Sequence, residues 1–172
     1  TMETEDTRAA TLRCAFCLKL NRVDVGRAGD RPKCGECGKP FLLDRPVKIA
    51  GEDLERVVAE SEVPVLVDFY ADWCGPCKMF APVYETVSAD HPDVVFAKVD
   101  TEAQQQLAAQ FQIRSIPTLM IFREKVILFS QPGMLGEQQM EGEPPFFIHR
   151  PQLEIGDLQA FGQRGRRHQA LV

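Results

Sequence analysis

The stretch "VDFYADWCGPCKMFAP", residues 67–82, carries two structural signals and one chemical signal in sixteen residues. Its left half completes the run "VLVDFYA", 65–71, whose nearly unbroken apolar character predicts a central strand covered on both faces. Asp68 is the one charge in that run. The right half opens a helix predicted over 77–90, starting at the cysteine pair and kinked at Pro82, whose ring cannot join the regular hydrogen-bond ladder. Between the two, Cys74 and Cys77 flank Gly75 and Pro76. A cysteine just ahead of a helix meets unpaired backbone N–H groups and the positive end of the helix dipole, and both favour the thiolate. Pro76 suits the first turn, where its missing N–H has no partner to lose, and Gly75 allows a close approach. One ionised thiol with a second thiol a turn away is what disulfide exchange requires.

The pattern on either side is that of an α/β core. Residues 52–60, "EDLERVVAE", place Leu54, Val57 and Val58 at helical spacing behind acidic first-turn residues, and Pro64 ends that helix. "VVFAKVD", 94–100, predicts a second buried strand and "EAQQQLAAQF", 102–111, a helix. "TLMIF", 118–122, and "VILFS", 126–130, are close enough to pair as a hairpin, which adds antiparallel character to the sheet. A chain of 172 residues, 44% of them hydrophobic, can bury one core plus a small appendage. No stretch approaches the roughly 20 apolar residues of a membrane span. The first residues, "TMETEDTRAAT", are polar and acidic without the charged-then-apolar order of a secretory signal, so the expectation is a soluble cytoplasmic protein. A net charge of −5 without a basic stripe argues against a nucleic-acid surface.

All six cysteines fall into Cys-x-x-Cys units, and the two earlier units call for different chemistry. Cys14 and Cys17 are separated from Cys34 and Cys37 by 16 residues, a spacing of structural zinc sites. Each short turn aims two thiolates at one point, and two turns close a tetrahedron that leaves no open position for catalysis. Gly35 and Gly38 suit such tight turns. Disulfides between the pairs, or two further redox-active pairs, are the competing readings. The segment has few large apolar residues, so the metal is expected to supply most of its folding free energy. The junction "KPFLLDRPVK", 39–48, then divides the chain into a zinc-binding ribbon, 1–45, and a larger domain, 46–172.

With "RSIPTLMIF", 114–122, added to residues 67–82, the larger domain resembles the thioredoxin family over about residues 47–133. The cysteine-rich segment in front resembles the family's thioredoxin 2 branch, which carries an N-terminal zinc ribbon. The resemblance implies a thioredoxin fold, a central mixed sheet flanked by helices, preceded by the small ribbon. It also implies a protein-disulfide reductase in which Cys74 attacks a substrate disulfide and Cys77 resolves the mixed disulfide. Asp68 matches the family's buried acid, which assists proton transfer at Cys77, and Lys98 matches the lysine near that acid. Ile116-Pro117 matches the cis-proline loop, and Trp73, Gly75, Pro76, Ser115, Ile116, Pro132 and Gly133 would form the docking surface for clients. The implied partners are disulfide-containing client proteins and thioredoxin reductase as electron donor, with the chain acting as a monomer. Structural zinc, one per chain, is the only cofactor implied, and the absence of a phosphate-binding glycine loop fits a protein with no bound nucleotide.

Some residues depart from the family pattern. Tyr70 stands where tryptophan is common, and Lys125 stands where the hairpin commonly has glycine, so the turn is expected to be strained or shifted in register. After about residue 136 the tail is atypical: either "QLEIGDLQAFGQ", 152–163, supplies a closing helix through Leu153, Leu158 and Phe161, weakened by Gly156, or the tail is irregular or disordered, and "RGRR", 164–167, reads as a solvated end rather than a binding patch. His91 reads as a helix-end residue, while His149 and His168 fall in the tail, and no pair has ligand spacing. Two other functions stay open on the sequence: a disulfide oxidase or isomerase on the same fold, and a zinc-dependent binding or chaperone module whose thiols sense oxidation.

Overall fold

A computed structural model describes residues 8–92, 94–123 and 125–141. In chain order its elements are β1 (Ala9–Arg13), β2 (Leu20–Asp24), a 3-10 helix (Val25–Asp30), β3 (Val47–Lys48), α1 (Gly51–Glu60), β4 (Val65–Tyr70) and α2 (Gly75–Asp90). Then follow β5 (Val95–Asp100), α3 (Gln105–Gln110), β6 (Thr118–Arg123), β7 (Val126–Pro132) and α4 (Glu137–Glu141). The main sheet has the order β3-β5-β4-β6-β7. β5 runs parallel to β3 and β4, whereas β6 is antiparallel to β4 and β7 to β6. This is the mixed sheet that the sequence pattern predicts.

β4 is buried at all six positions, which explains why its sequence does not alternate. Val65, Val67 and Phe69 pack on one side with Leu54, Val57 and Val58 of α1 and with Phe111. Leu66 packs on the other side with Phe80, Tyr84 and Val87 of α2. The Tyr84 hydroxyl is within hydrogen-bond reach of the carbonyls of Leu66 (3.1 Å) and Ala97 (3.0 Å), which satisfies a phenol that is fully buried.

Several boundaries differ from the sequence expectation for local physical reasons. α2 starts at Gly75 rather than 77, because Gly75 and Pro76 occupy the first turn, where no intrahelical N–H partner is needed. It continues through Pro82 to His91, which caps its C-terminus. α3 is shorter than predicted, because Asp100 Oδ1 accepts the Glu102 amide (2.9 Å) and holds the residues ahead of α3 in a turn. Lys125 takes φ 66°, and the β6–β7 register shifts between Ile121 and Phe122, as the missing hairpin glycine foretells. In the atypical tail α4 buries Met140, and the preceding Leu135 joins it against the α2 cluster. The candidate helix 152–163, the run "RGRR" at 164–167, His149 and His168 lie outside the described residues.

The N-terminal hairpin is a larger departure. β1 and β2 pair antiparallel from Ala9↔Asp24 to Arg13↔Leu20. Ala10, Leu12, Val23 and Val25 enter the same core cluster as Leu54, Val57, Val58 and Val63. Polar contacts flank this seam. The Arg13 guanidinium grips both oxygens of Asp53 (2.5 Å each), and Arg22 donates to the Glu60 carbonyl and the Glu62 carboxylate (2.7 Å each). Thr11 donates to the Glu60 carboxylate and the Ala9 amide to Glu62. The exposed Arg22–Glu62 pair contributes about 0–1 kcal/mol, and the bidentate Arg13–Asp53 pair, whose carboxylate is buried, contributes more; each fully buried aliphatic side chain contributes about 1.5–3 kcal/mol, so the apolar seam supplies the larger share. The hairpin therefore does not depend on metal alone, as its cysteine-to-cysteine segment suggests; its apolar residues find their partners on α1.

Leu12→Ala is expected to destabilise the entire described fold by about 2–4 kcal/mol, because the lost contacts belong to a shared core. Urea unfolding should show one transition at lower denaturant. A separate early transition confined to the hairpin would contradict the shared core.

Candidate active site and metal centre

β4 delivers the chain to a tight turn in which the Cys74 amide donates to the Ala71 carbonyl (3.1 Å). Cys74 then becomes the N-cap of α2, and its Sγ accepts the Cys77 amide (3.2 Å). A sulfur so placed accepts one of the helix's orphan N–H groups and faces the positive end of its dipole, which favours negative charge on it. Cys74 and Cys77 are joined as a disulfide and pack with Tyr70, Ala71 and Ile116. Both sulfurs' residues are almost fully buried, so a partner could reach them only along the surface beside them.

That surface is a groove of about 430 Å³. Among the docking residues singled out from sequence, Trp73, Gly75, Pro76, Ser115 and Ile116 line it together with Cys74, and Pro132 and Gly133 do not. Arg114, the first residue of "RSIPTLMIF", lines it too, as do Thr101, Ala108 and Ile113, which lie outside any quoted motif and reach the groove only through folding. The Ile116-Pro117 bond is cis, and the Ile116 carbonyl oxygen lies 3.7 Å from Cys74 Sγ. Gly133, at φ 93°, donates its amide to the Pro117 carbonyl (2.8 Å) and so braces this loop from behind. Trp73 is 68% exposed, with its indole N–H held by Glu102 (2.8 Å). A side chain added at Gly75 would meet nothing within 4 Å, so the room there is open to an incoming chain.

Asp68 is completely buried, and neither carboxylate oxygen has a hydrogen-bond partner. Burial raises its pKa to about 6, only partly offset by the charge of Lys98. It shares a sheet face with Leu66 and Tyr70, because strand residues alternate, and Tyr70 packs with the cysteine pair. Lys98 stands opposite Asp68 in the β4–β5 register, yet its ammonium lies 4.3 Å over the Tyr70 ring.

The other four cysteines converge at the end of the N-terminal hairpin. Cys14 and Cys37 Sγ are 3.7 Å apart, Cys17 and Cys34 Sγ are 3.6 Å apart, and all four sulfurs lie within 4.8 Å of one another. They could hold a metal ion. The two turns are built alike. The Leu18 amide returns to the Cys14 carbonyl (3.1 Å) and the Gly38 amide to the Cys34 carbonyl (2.9 Å). Leu18 and Gly38 both have positive φ (62° and 71°), so the glycine requirement falls on Gly38, while Gly35 has no such constraint. Backbone amides favour thiolates here: those of Cys17 and Phe16 lower the Cys14 pKa, and those of Cys37 and Glu36 help bring Cys34 down to about 6. Asn21, which sequence reading passed over, ties the turns together. Its Nδ2 donates to Cys34 Sγ (3.4 Å) and its Oδ1 accepts the Gly35 amide (2.9 Å).

Among the described residues no helix is long and apolar enough to cross a membrane. Residues 45–142 match the family model described as Thioredoxin. Thioredoxin C-3 of Corynebacterium nephridii is 42% identical over 128 residues, which cover 74% of this chain and 88% of that protein. A protein named as a thioredoxin 2 in Streptomyces coelicolor is 56% identical over 91 residues, or 53% of this chain and 67% of its own. Among solved structures, a mutant thioredoxin from Halobacterium salinarum superposes with TM-score 0.53 at 36% identity, covering 57% of this chain and 86% of that one. The strand, capped cysteine pair and cis-proline loop described above thus stand within a matched sequence and a matched fold, and the chain belongs to the thioredoxin family of thiol-disulfide oxidoreductases.

Proposed function

We propose that this chain is a cytoplasmic, monomeric protein-disulfide reductase that works through Cys74 and Cys77 and carries a structural zinc ion on Cys14, Cys17, Cys34 and Cys37. The observation that carries the reading is Cys74 Sγ, placed at the N-terminus of α2, bordering an open groove and facing the cis Ile116-Pro117 loop. In the reduced protein the Cys74 thiolate attacks one sulfur of a client disulfide, and the first client thiolate leaves and takes a proton from water. Cys77 then gives its proton to the Asp68 carboxylate and attacks Cys74 Sγ, which expels the second client thiolate. Two electrons pass to the client, and the Cys74–Cys77 disulfide is the product. Thioredoxin reductase is the donor that would return the pair to dithiol. Trp73, Gly75, Pro76, Ser115 and Ile116 would seat the client, and Pro117, with Gly133 behind it, would shape the loop that the client strand meets.

The metal assignment rests on donor chemistry. Zinc-sulfur bonds of about 2.3 Å in a tetrahedron require sulfurs about 3.8 Å apart, close to the separations of the two facing pairs. Four thiolates close the coordination sphere, so the ion would hold structure and take no part in the exchange. The division near residue 45 into ribbon and redox domain belongs to this reading and is supported by the match that begins at that residue.

Three outcomes test the proposal. In insulin reduction driven by a dithiol donor, Cys74→Ser should fall to the rate of the donor alone, and undiminished turnover would exclude Cys74 as nucleophile. Metal analysis should find about one zinc per chain, retained in Cys74→Ser and lost in Cys14→Ser; zinc kept by the latter would rule out the tetrad. For Asp68 the pKa is raised by folding, so between about pH 4 and pH 6 the folded chain holds a proton that the unfolded chain has lost, and stability declines as pH rises through that window. Asp68→Asn should therefore raise unfolding free energy at pH 7.5 by up to roughly 3 kcal/mol, with the gain gone below about pH 4. Equal effects at both pH values would show that the carboxyl is not neutral by preference in the fold.

A further inference from the structure

In the pairing of β4 with β5, Asp68 is directly opposite Lys98. Both side chains lie on the sheet face that carries α2, since their strand neighbours Leu66 and Phe96 pack with Phe80 and Tyr84. Opposite charges facing each other on adjacent strands attract, most strongly where water is excluded. Here both Asp68 oxygens are unpartnered, while Lys98 Nζ sits 4.3 Å from the centroid of the Tyr70 ring. Tyr70 lies two residues beyond Asp68 on the same face, is 7% exposed, and packs with Cys74 and Cys77. A ring face attracts an ammonium electrostatically, and more strongly where water is excluded.

The groups around Asp68 offer it no other counter-charge. From α2 the Tyr84 hydroxyl approaches, but its partners are the Leu66 and Ala97 carbonyls. On β6 the residue opposite Asp68 is Leu119. Lys48, which neighbours Lys98 across β3–β5, acts on the Tyr70 phenol, which Asp72 and Asp100 also face. Lys98 is thus the one cation acting on Asp68 among these groups, and its ammonium sits over the aromatic ring.

We propose that Tyr70 is a positioning residue of the redox centre: its ring holds the Lys98 ammonium away from Asp68 and leaves the buried carboxyl free to accept a proton from Cys77. The proposal rests on the role given to Asp68 above. Following the Asp68 carboxyl by carbon NMR across pH in the full reduced chain tests it. In Tyr70→Leu, Lys98 is released onto Asp68, and the midpoint should fall by about one pH unit or more; in Tyr70→Phe, which keeps the ring, it should stay near the wild-type value. The fall should disappear when Lys98→Met is combined with Tyr70→Leu, and the pH profile of client reduction should move with the midpoint. An unchanged midpoint in Tyr70→Leu, or the same fall without Lys98, overturns the proposal. In the unmodified chain the Lys98 Hε protons should be shifted upfield by the ring, and ordinary shifts there would overturn it even if Tyr70→Leu failed to fold. The titration reads Asp68 directly, so an inactive Cys74→Ser control and a failed midpoint shift report on different claims.

Discussion

The burial of β4 on both faces is the constraint from which the rest of the structure follows. A strand covered on both sides must be apolar at every position, and that makes Asp68 costly in the one place where the sequence keeps an acid. The cost appears as a raised pKa and two unpartnered oxygens. The same strand ends at the turn that places Cys74 on the N-terminus of α2, so one element sets both the thiol's electrostatics and the position of the acid. Tyr70 closes that strand between them, touching the cysteine pair on one side and the Lys98 ammonium on the other.

The N-terminal hairpin obeys a different balance. Its sulfurs cluster at one end, but its strands are held on α1 by aliphatic side chains from both parts of the chain. Small cysteine-rich units ordinarily lack a core and rely on a bound ion for folding. This one borrows a core, and Arg13, Arg22 and Thr11 fix its position on α1 with hydrogen bonds to acids of that helix and the residues just after it. The two cysteine turns are left free to repeat one geometry, with Leu18 accepting a backbone conformation that Gly38 adopts without strain.

Much of this was legible in residue order because its causes are local. The nearly unbroken apolar run 65–71, the proline and glycine between Cys74 and Cys77, and Lys125 in place of a hairpin glycine each act on their own neighbours along the chain. β3 escaped notice because two residues carry no period, and its place is set by pairing with Ala97 and Lys98. α4 is too short to show a period, and Met140 is buried through a core cluster that it shares with α2 and the sheet. Thr101, Ala108 and Ile113 could not be read as groove residues, since nothing along the chain marks that their segments will meet beside Cys74.

The sequence alone determined the α/β order, the three cysteine pairs and the contrast between them. Spacing and flanking propensity are properties of a few adjacent residues, and they survive without knowledge of the fold. Tertiary structure decided what each charged or apolar group meets. Lys98 and Asp68 are 30 positions apart, and their register allows an ion pair that the ring of Tyr70 diverts. Leu12 and Leu54 are farther apart still, 42 positions along the chain, yet they share one core because β1 settles on α1. Such choices are made by competition among partners in space, and only the folded chain brings the competitors together.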